Sequence, residues 1–531
     1  MAFWPFRRLV FIGAVLLLIA AGAGVLILRL TLGRDVVRRA AETRLSAVLG
    51  QPVSIAGVDT DLLPVPALIG TGIVVGPDSK TPDVALRSIR IVPRLGALLR
   101  GSYVIREVTL EGLIVRVVRE PPGRWRFPPV VPVPGGHEGG AIVIERVRLR
   151  GGRVLVTELS RNGMRERSSI DDVEGEAVAE AAGIRISPIR GRVGGAAVTG
   201  EAVLDAQAAR IDFSMTDIEA SDLGAVLGLA AADPPASLRI TSPATASMSI
   251  RIDRQQFRLS GKGSVRVPDM TVESLRLRGL EAAIETDGVK LTFAPATFTM
   301  YGGTHRGSVT IDLSSSPARW ALDGRVSGVD VSDFLKDFTG RDQRLDGTAS
   351  AAEALRGRVG DAIPGTLDGR IQVDVADGVI REFPLLTAIN RTLRLAEGDA
   401  RDTRFERLSA TLMFEPRAAG PSAGPFASGY TTTRDLAMQA RDVRVEAAGR
   451  IGFDRSLDLT GQAILSPEKT ATAIRSVREL SGLRNDRGEL ELPLTITGTA
   501  DAPSIRIDLK AVVGRSIEDE LRRRLGKWIR D

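Results

Sequence analysis

Short runs in which apolar residues alternate with charged or polar ones recur along most of this chain, and a period of two predicts β-strands with one apolar face. Val147 and Leu149 alternate with Arg146, Arg148 and Arg150; Ile250 and Ile252 with Arg251 and Asp253; Leu275 and Leu277 with Arg276 and Arg278. The same pattern returns at Val309, Ile311 and Leu313, and at Ile371, Val373 and Val375. It is cleanest near the C-terminus, at Leu490, Leu492, Leu494 and Ile496, then Ile505, Ile507 and Leu509. Asp287-Gly288 and Asp377-Gly378 fall between such runs as hairpin signals, because a type I′ turn needs positive φ at both central residues.

One segment breaks the pattern. Leu9 to Leu28 is a stretch of 20 uncharged residues behind Arg7 and Arg8. At about 1.5 Å per residue it crosses the ~30 Å hydrocarbon layer once. Leu9, Phe11, Leu16, Leu18, Ile19, Val25 and Leu28 are its membrane-facing candidates. The competing reading is a cleaved signal peptide, with Ala21-Gly22-Ala23 as the small-residue site. The apolar run continues through Val25-Leu26-Ile27-Leu28, which favours a retained anchor.

Helical patterns are few. Asp35 to Leu49 carries an apolar side and stops at Gly50. Pro384 to Ala396 and Ser466 to Leu480 each begin at a helix-start proline and end near a glycine, as caps laid over a sheet. Ser516 to Arg530 places Ile517, Leu521, Leu525, Trp528 and Ile529 on one stripe, which suits either an end cap for the β-core or a membrane-surface helix. The organisation expected is a cytoplasmic stub and anchor over 1–33, a juxtamembrane helix over 34–50 and an N-terminal β-region over 51–120. A Pro/Gly-rich linker over 121–140 leads to a central repeated β-region over 141–415. A Pro/Gly loop over 416–429, a C-terminal β-region over 430–515 and the helix over 516–531 complete the chain. The repeat is weak: Gly194-Gly195 with Ser221-Asp222-Leu223 parallels Gly302-Gly303 with Ser332-Asp333-Phe334.

The chain of 531 residues has no cysteine, which excludes disulfides, thiolate nucleophiles and zinc-thiolate sites. Net charge is +6, from 64 arginines and seven lysines with acidic residues interspersed, so no like-charge run marks a nucleic-acid site. Four motifs have catalytic or binding overtones, and each has a plainer reading. Gly420-Pro421-Ser422-Ala423-Gly424 matches a nucleophile elbow, but both histidines, His137 and His305, precede the serine. His305 reads as a turn residue without a partner carboxylate at a telling spacing. Ser260-Gly261-Lys262-Gly263-Ser264 reads as a hairpin turn rather than a phosphate loop, and Asp171-Asp172 as a solvated acidic loop rather than a metal site. The sequence therefore assigns no catalytic, cofactor or metal residue, and the expectation is a protein that is not an enzyme.

The N-terminal pattern Leu49-Gly50-Gln51-Pro52-Val53 with Leu62-Leu63-Pro64 resembles that of the bacterial AsmA-like proteins after their anchor. Gly123-Arg124-Trp125, Tyr301-Gly302-Gly303, Thr403 to Leu408, Ala448 to Ile451 and Leu492 to Thr499 extend the resemblance along the chain. It implies a bacterial inner-membrane protein, single-pass, with its bulk in the periplasm. The fold expected is mainly β: one transmembrane helix, then a long, curled, mostly antiparallel sheet forming an elongated apolar groove with a few capping helices. Larger relatives are bridge-like lipid conduits, so the resemblance implies a cofactor-free role in phospholipid transport and outer-membrane biogenesis. The inner membrane, phospholipids and envelope proteins are its expected partners. The alternative is a scaffold assisting insertion of outer-membrane proteins through exposed strand edges. Candidate groove-lining residues are Val309, Ile311, Ile371, Val373, Val375, Leu490, Leu492, Leu494, Ile496, Ile505, Ile507 and Leu509. Energetics fit this: at ~0.8 kcal/mol per methylene, a ~16-carbon chain costs on the order of 12 kcal/mol to pull into water, and a continuous apolar lining removes most of that barrier.

Overall fold

The computed structural model describes residues 34–61, 65–78, 81–98, 104–120, 124–128, 143–160, 163–180, 183–205, 207–229, 238–253, 258–315, 317–340, 344–359, 367–395, 401–416, 429–477, 480 and 484–507. The expected anchor, the C-terminal helix stripe, Leu509, Ser422 and most of the two Pro/Gly segments lie outside these residues. Among the described residues no helix is long and apolar enough to cross a membrane.

The chain forms two compact units. Unit 1 comprises Met1–Pro268, Glu281–Ala294 and Ile311–Ala318, and unit 2 comprises Asp269–Leu280, Pro295–Thr310 and Arg319–Asp531. Unit 1 opens with β1 (Val53–Asp61), β2 (Ala67–Val75), β3 (Val84–Pro93), β4 (Val104–Glu120), β5 (Arg124–Arg126) and β6 (Val143–Ile144). It continues with β7 (Val147–Ser160), β8 (Gly163–Glu180), β9 (Gly183–Val193), β10 (Ala196–Leu204), β11 (Ala208–Ile218), β12 (Leu238–Ile240) and β13 (Ala244–Asp253). β14 (Leu259–Val272), β15 (Leu275–Thr286), β16 (Lys290–Met300) and β17 (Gly303–Asp312) contribute residues to both units. Unit 2 adds β18 (Arg319–Asp330), β19 (Leu345–Arg358), β20 (Asp368–Ile380), β21 (Thr403–Phe414) and β22 (Tyr430–Ala440). β23 (Val443–Gly452), β24 (Ser456–Leu465), β25 (Leu490–Thr499) and β26 (Ala502–Ile507) follow.

Strands adjacent in sequence pair antiparallel through β1–β4, β7–β11 and β18–β26. β4 is the exception, running parallel to β7 with Val108 opposite Val147 and Val118 opposite Thr157. Parallel neighbours need a crossover of a dozen or more residues, and 26 residues separate Glu120 from Val147.

In unit 1 the helix Arg34–Leu49 presents Ala41, Leu45 and Leu49, spaced four apart on one face, to a buried cluster with Ile55, Ile73, Leu86, Ile89, Val108 and Leu110. In unit 2 the helices Leu385–Thr392 and Pro467–Ser476 begin as the sequence indicates. Pro384 precedes the first, and Ser466 Oγ caps the second by accepting the Lys469 N–H at 3.2 Å. They bury Leu385, Ile389 and Ala473 against Leu465, Leu490, Leu492, Leu494 and Ile496. Full burial of a leucine is worth roughly 1.5–3 kcal/mol, which makes this the firmest part of unit 2.

Several local expectations are corrected. Asp377-Gly378 is not a turn but lies inside β20, where Asp377 has φ 49° at a bulge against β19. Asp377 alone takes the positive φ, which a bulge can demand as a turn does. Ser260 to Ser264 is strand interior in β14, and Asp171-Asp172 lies in β8, with Asp172 at φ 52°. The sequence echo has a structural counterpart. A hairpin turn at 194–195 leads through β10 and β11 to the helix Leu223–Gly228, and a turn at 301–302 leads through β17 and β18 to the helix Val331–Thr339. Each is tied back to its hairpin: Asp222 accepts the Gly195 N–H at 2.6 Å, and the Tyr301 carbonyl accepts the Asp330 N–H at 2.9 Å.

Candidate functional site

The apolar face of unit 2 changes character along the strands. Under the two helices it is closed by protein, and Leu490, Leu492, Leu494 and Ile496 are buried there together with Val375. Across β18–β21 a smaller cluster forms around Leu355, Leu367 and Phe414, and the Trp320, Leu322, Ile371, Leu412 and Phe453 packed against it are only half-buried. Register places these side chains in two neighbouring rows on one face: Leu322, Leu355 and Phe414 in the first, with Gly369 between the last two, and Ile371 and Leu412 in the second. Val373 is also half-buried, as are Val309 and Ile311 on β17 and Ile505 and Ile507 on β26.

Glycine shapes this face. Gly357 lies opposite Trp320, and a Cβ there would meet the indole at 2.6 Å, so the ring lies flat on the strand beside it. Unit 1 repeats the device on its own face, where half-buried Phe213 and Met248 pair across β11 and β13 and Met248 pairs with Gly263. A Cβ at Gly263 would sit 2.4 Å from Met248 Sδ. Large side chains lying over glycines sit close to the strand beneath them. Sequence alone places Gly263 in a hairpin turn and does not single out Gly357; the signal available at both was a glycine inside an alternating run.

On the opposite face arginines pair with carboxylates across strands. Arg407 pairs with Asp374, Arg381 with Asp346 at 2.6 Å, and Arg450 with Asp458 at 2.5 Å. In unit 1 Lys262 pairs with Glu285 at 2.9 Å and Arg153 with Asp171. Burial raises the Asp171 pKa, but the hydrogen bonds from Arg153 and Ser169 outweigh it and hold the carboxyl below the ordinary range. Below the helix Val331–Thr339, Tyr301 Oη donates to Asp337 Oδ2 at 2.7 Å, and Arg276 Nε donates to the same oxygen at 2.7 Å. These bonds, the tyrosine's first, lower the Asp337 pKa.

His305 is not a turn residue. It lies in β17, is 1% exposed, and its Nε2 is 2.6 Å from Oε1 of Glu353 on β19. Phe298 stacks on the imidazole, with ring centroids 4.2 Å apart and planes 10° from parallel. Glycines bed the ring: a Cβ at Gly324 would lie 2.4 Å from Nε2, and one at Gly307 2.9 Å from Cε1. The carboxylate that sequence reasoning missed is 48 positions away, and only strand pairing joins the two. Among the described residues, no group of three His, Cys, Asp or Glu side chains is placed to hold a metal ion.

Residues 255–416 match the family model of the AsmA family, a stretch that contains His305, Trp320, Glu353, Ile371, Leu412 and Phe414. No curated protein and no solved structure matches the chain.

Proposed function

We infer from the match of residues 255–416 to its family model that the chain belongs to the AsmA family, and on that premise we propose that it is a membrane-anchored, non-catalytic envelope protein that carries phospholipid between the inner and outer membranes on the apolar faces of its sheet. Family membership supports a role in envelope biogenesis or lipid transport. The observation that carries the finer reading is the half-covered face over β18–β21, where Trp320, Leu322, Ile371 and Leu412 remain partly open although the same unit buries Leu490, Leu492, Leu494 and Ile496 in the cluster its helices join. Partly open apolar surface is costly in water, and an acyl chain lying on it removes that cost. The inner membrane, through Leu9 to Leu28, and phospholipids are the partners this reading requires, with envelope proteins at the far end of the path.

A scaffold acting through open strand edges is the other reading, and one edge speaks against it. The outward N–H groups of Val53 and Ile55 on β1 are occupied by Ser46 Oγ and Glu42 Oε1, each at 2.9 Å. An edge so covered does not recruit a client strand. The test is extraction of the full chain, purified in mild detergent, followed by mass spectrometry for co-purified phospholipid. Bound phospholipid that is lost in Ile371→Glu or Leu412→Glu, with the fold retained, supports the carrier. A folded, monodisperse, lipid-free wild-type chain overturns it.

A further inference from the structure

We propose that Glu353, held by His305, is a receptor within the apolar face of unit 2 for the primary ammonium group of an amphiphile lying along that face. The inference rests on the lipid-bearing reading of the face and names the head-group chemistry it selects. Glu353 lies on the same side of the sheet as Ile371, its register partner on β20, and Leu355 on β19. It is the acidic member of an otherwise apolar row.

The pair is built rather than incidental. Gly307 and Gly324 leave space for the imidazole where a Cβ would collide with it, and Phe298 fixes its plane. A carboxylate is an acceptor only, so the His305 proton sits on Nε2 and points at Glu353 Oε1. That tautomer leaves the buried Nδ1 as an acceptor without a hydrogen-bond partner. The imidazole thus offers one hydrogen bond to a carboxylate with capacity for several. The Glu353 side chain is 14% exposed against 1% for His305, so the carboxylate is the member a ligand reaches. A preorganised anion in low-dielectric surroundings binds a cationic N–H donor more strongly than the same anion in water. A primary ammonium supplies both the charge and the donors; a hydroxyl lacks the charge and a quaternary ammonium lacks the donors.

The test incubates the purified full chain with vesicles containing equal amounts of phosphatidylethanolamine and phosphatidylglycerol, then re-isolates the protein and quantifies bound lipid. The expected result is about tenfold enrichment of the ethanolamine lipid, the worth of one charge-assisted hydrogen bond. In Glu353→Gln the enrichment disappears while total bound lipid is unchanged. A second measurement on the wild-type chain replaces the ethanolamine lipid by phosphatidylcholine, and the enrichment over phosphatidylglycerol is again expected to vanish. Lipid bound without ethanolamine preference, a preference that survives Glu353→Gln, or equal enrichment of the choline lipid overturns the receptor and leaves the carrier reading standing. Absence of any bound lipid overturns both.

Discussion

Glu42 Oε1 accepts the backbone N–H of Ile55 at 2.9 Å, and in doing so a helix residue fills a hydrogen-bonding position that a further strand would occupy on β1. Arg38 Nη1 holds the same oxygen at 3.0 Å, so the carboxylate is positioned from its own helix. Ser46 Oγ does the same for Val53 at 2.9 Å. Glu42→Ala with Ser46→Ala should speed amide exchange at Val53 and Ile55 and cost about 1 kcal/mol per lost bond. Glu42→Gln, which keeps an acceptor, should stay near wild type. Hydrogen exchange over residues 51–61 reads both outcomes, and unchanged exchange in the double variant would show that the helix does not guard the edge.

The closed and half-covered parts of the unit 2 face should respond differently to truncation. Leu492 is fully buried in the cluster that includes Leu385, Ile389 and Ala473 of the two helices, so Leu492→Ala should cost about 2–5 kcal/mol in urea unfolding, the range for a leucine cavity in a packed core. Ile371 is half-buried, with less neighbouring protein to lose, and Ile371→Ala should cost roughly 1 kcal/mol. Equal costs would mean that the face over β18–β21 is packed as tightly as the core.

The alternation that predicts strands is legible where a pairing leaves one face apolar, and β13 and β25 follow it along their length, whereas β7 and β15 keep it only in part. The helices were legible for a second local reason, caps such as Pro384 and Ser466. What local pattern does not carry is the difference between a turn and a bulge: Asp377-Gly378 and Gly261 to Gly263 satisfy turn chemistry while lying inside β20 and β14. Nor does it carry depth. Leu492 and Ile371 have the same alternation, yet only Leu492 belongs to the buried cluster that helix residues join. His305 and Glu353 meet through strand pairing 48 positions apart, which no spacing rule reaches.

Asp435 gives the fold a defined acid sensitivity. The β21–β22 register is irregular between Ser409 and Met413, and Asp435 fills the gap by accepting the Thr411 N–H at 2.8 Å and the Thr411 hydroxyl at 2.6 Å. These bonds, the Thr411 hydroxyl's first, hold its carboxyl below the ordinary range. A folded pKa lower than the unfolded one, about 3.9, stabilises the fold above that pH. The contribution fades as pH falls through the folded pKa. Asp435→Asn should therefore lower the unfolding temperature at pH 7, and the gap to wild type should close below about pH 4. A gap that is the same at pH 7 and pH 3 would separate the effect from ionisation.

Three glycines should tolerate a methyl group to different degrees, because what each Cβ meets differs. At Gly263 it lies 2.0 Å from the Ser247 carbonyl oxygen, which is backbone in a paired strand and has nowhere to go. Gly263→Ala should cost on the order of 2 kcal/mol or more through the distortion of β13 and β14. At Gly357 the obstacle is the Trp320 indole, a half-buried side chain rather than paired backbone. Gly357→Ala should cost less in unfolding but lift the ring into the space above β18–β20, lowering bound phospholipid per chain. Gly224, in the helix Leu223–Gly228, has nothing within 4 Å, and Gly224→Ala should be neutral or stabilising by up to about 1 kcal/mol. Urea unfolding of the three variants, with lipid quantified on the same preparations, separates a face that must stay thin to hold lipid from one that needs glycine only to fold. Unchanged lipid in Gly357→Ala assigns its glycine to folding alone.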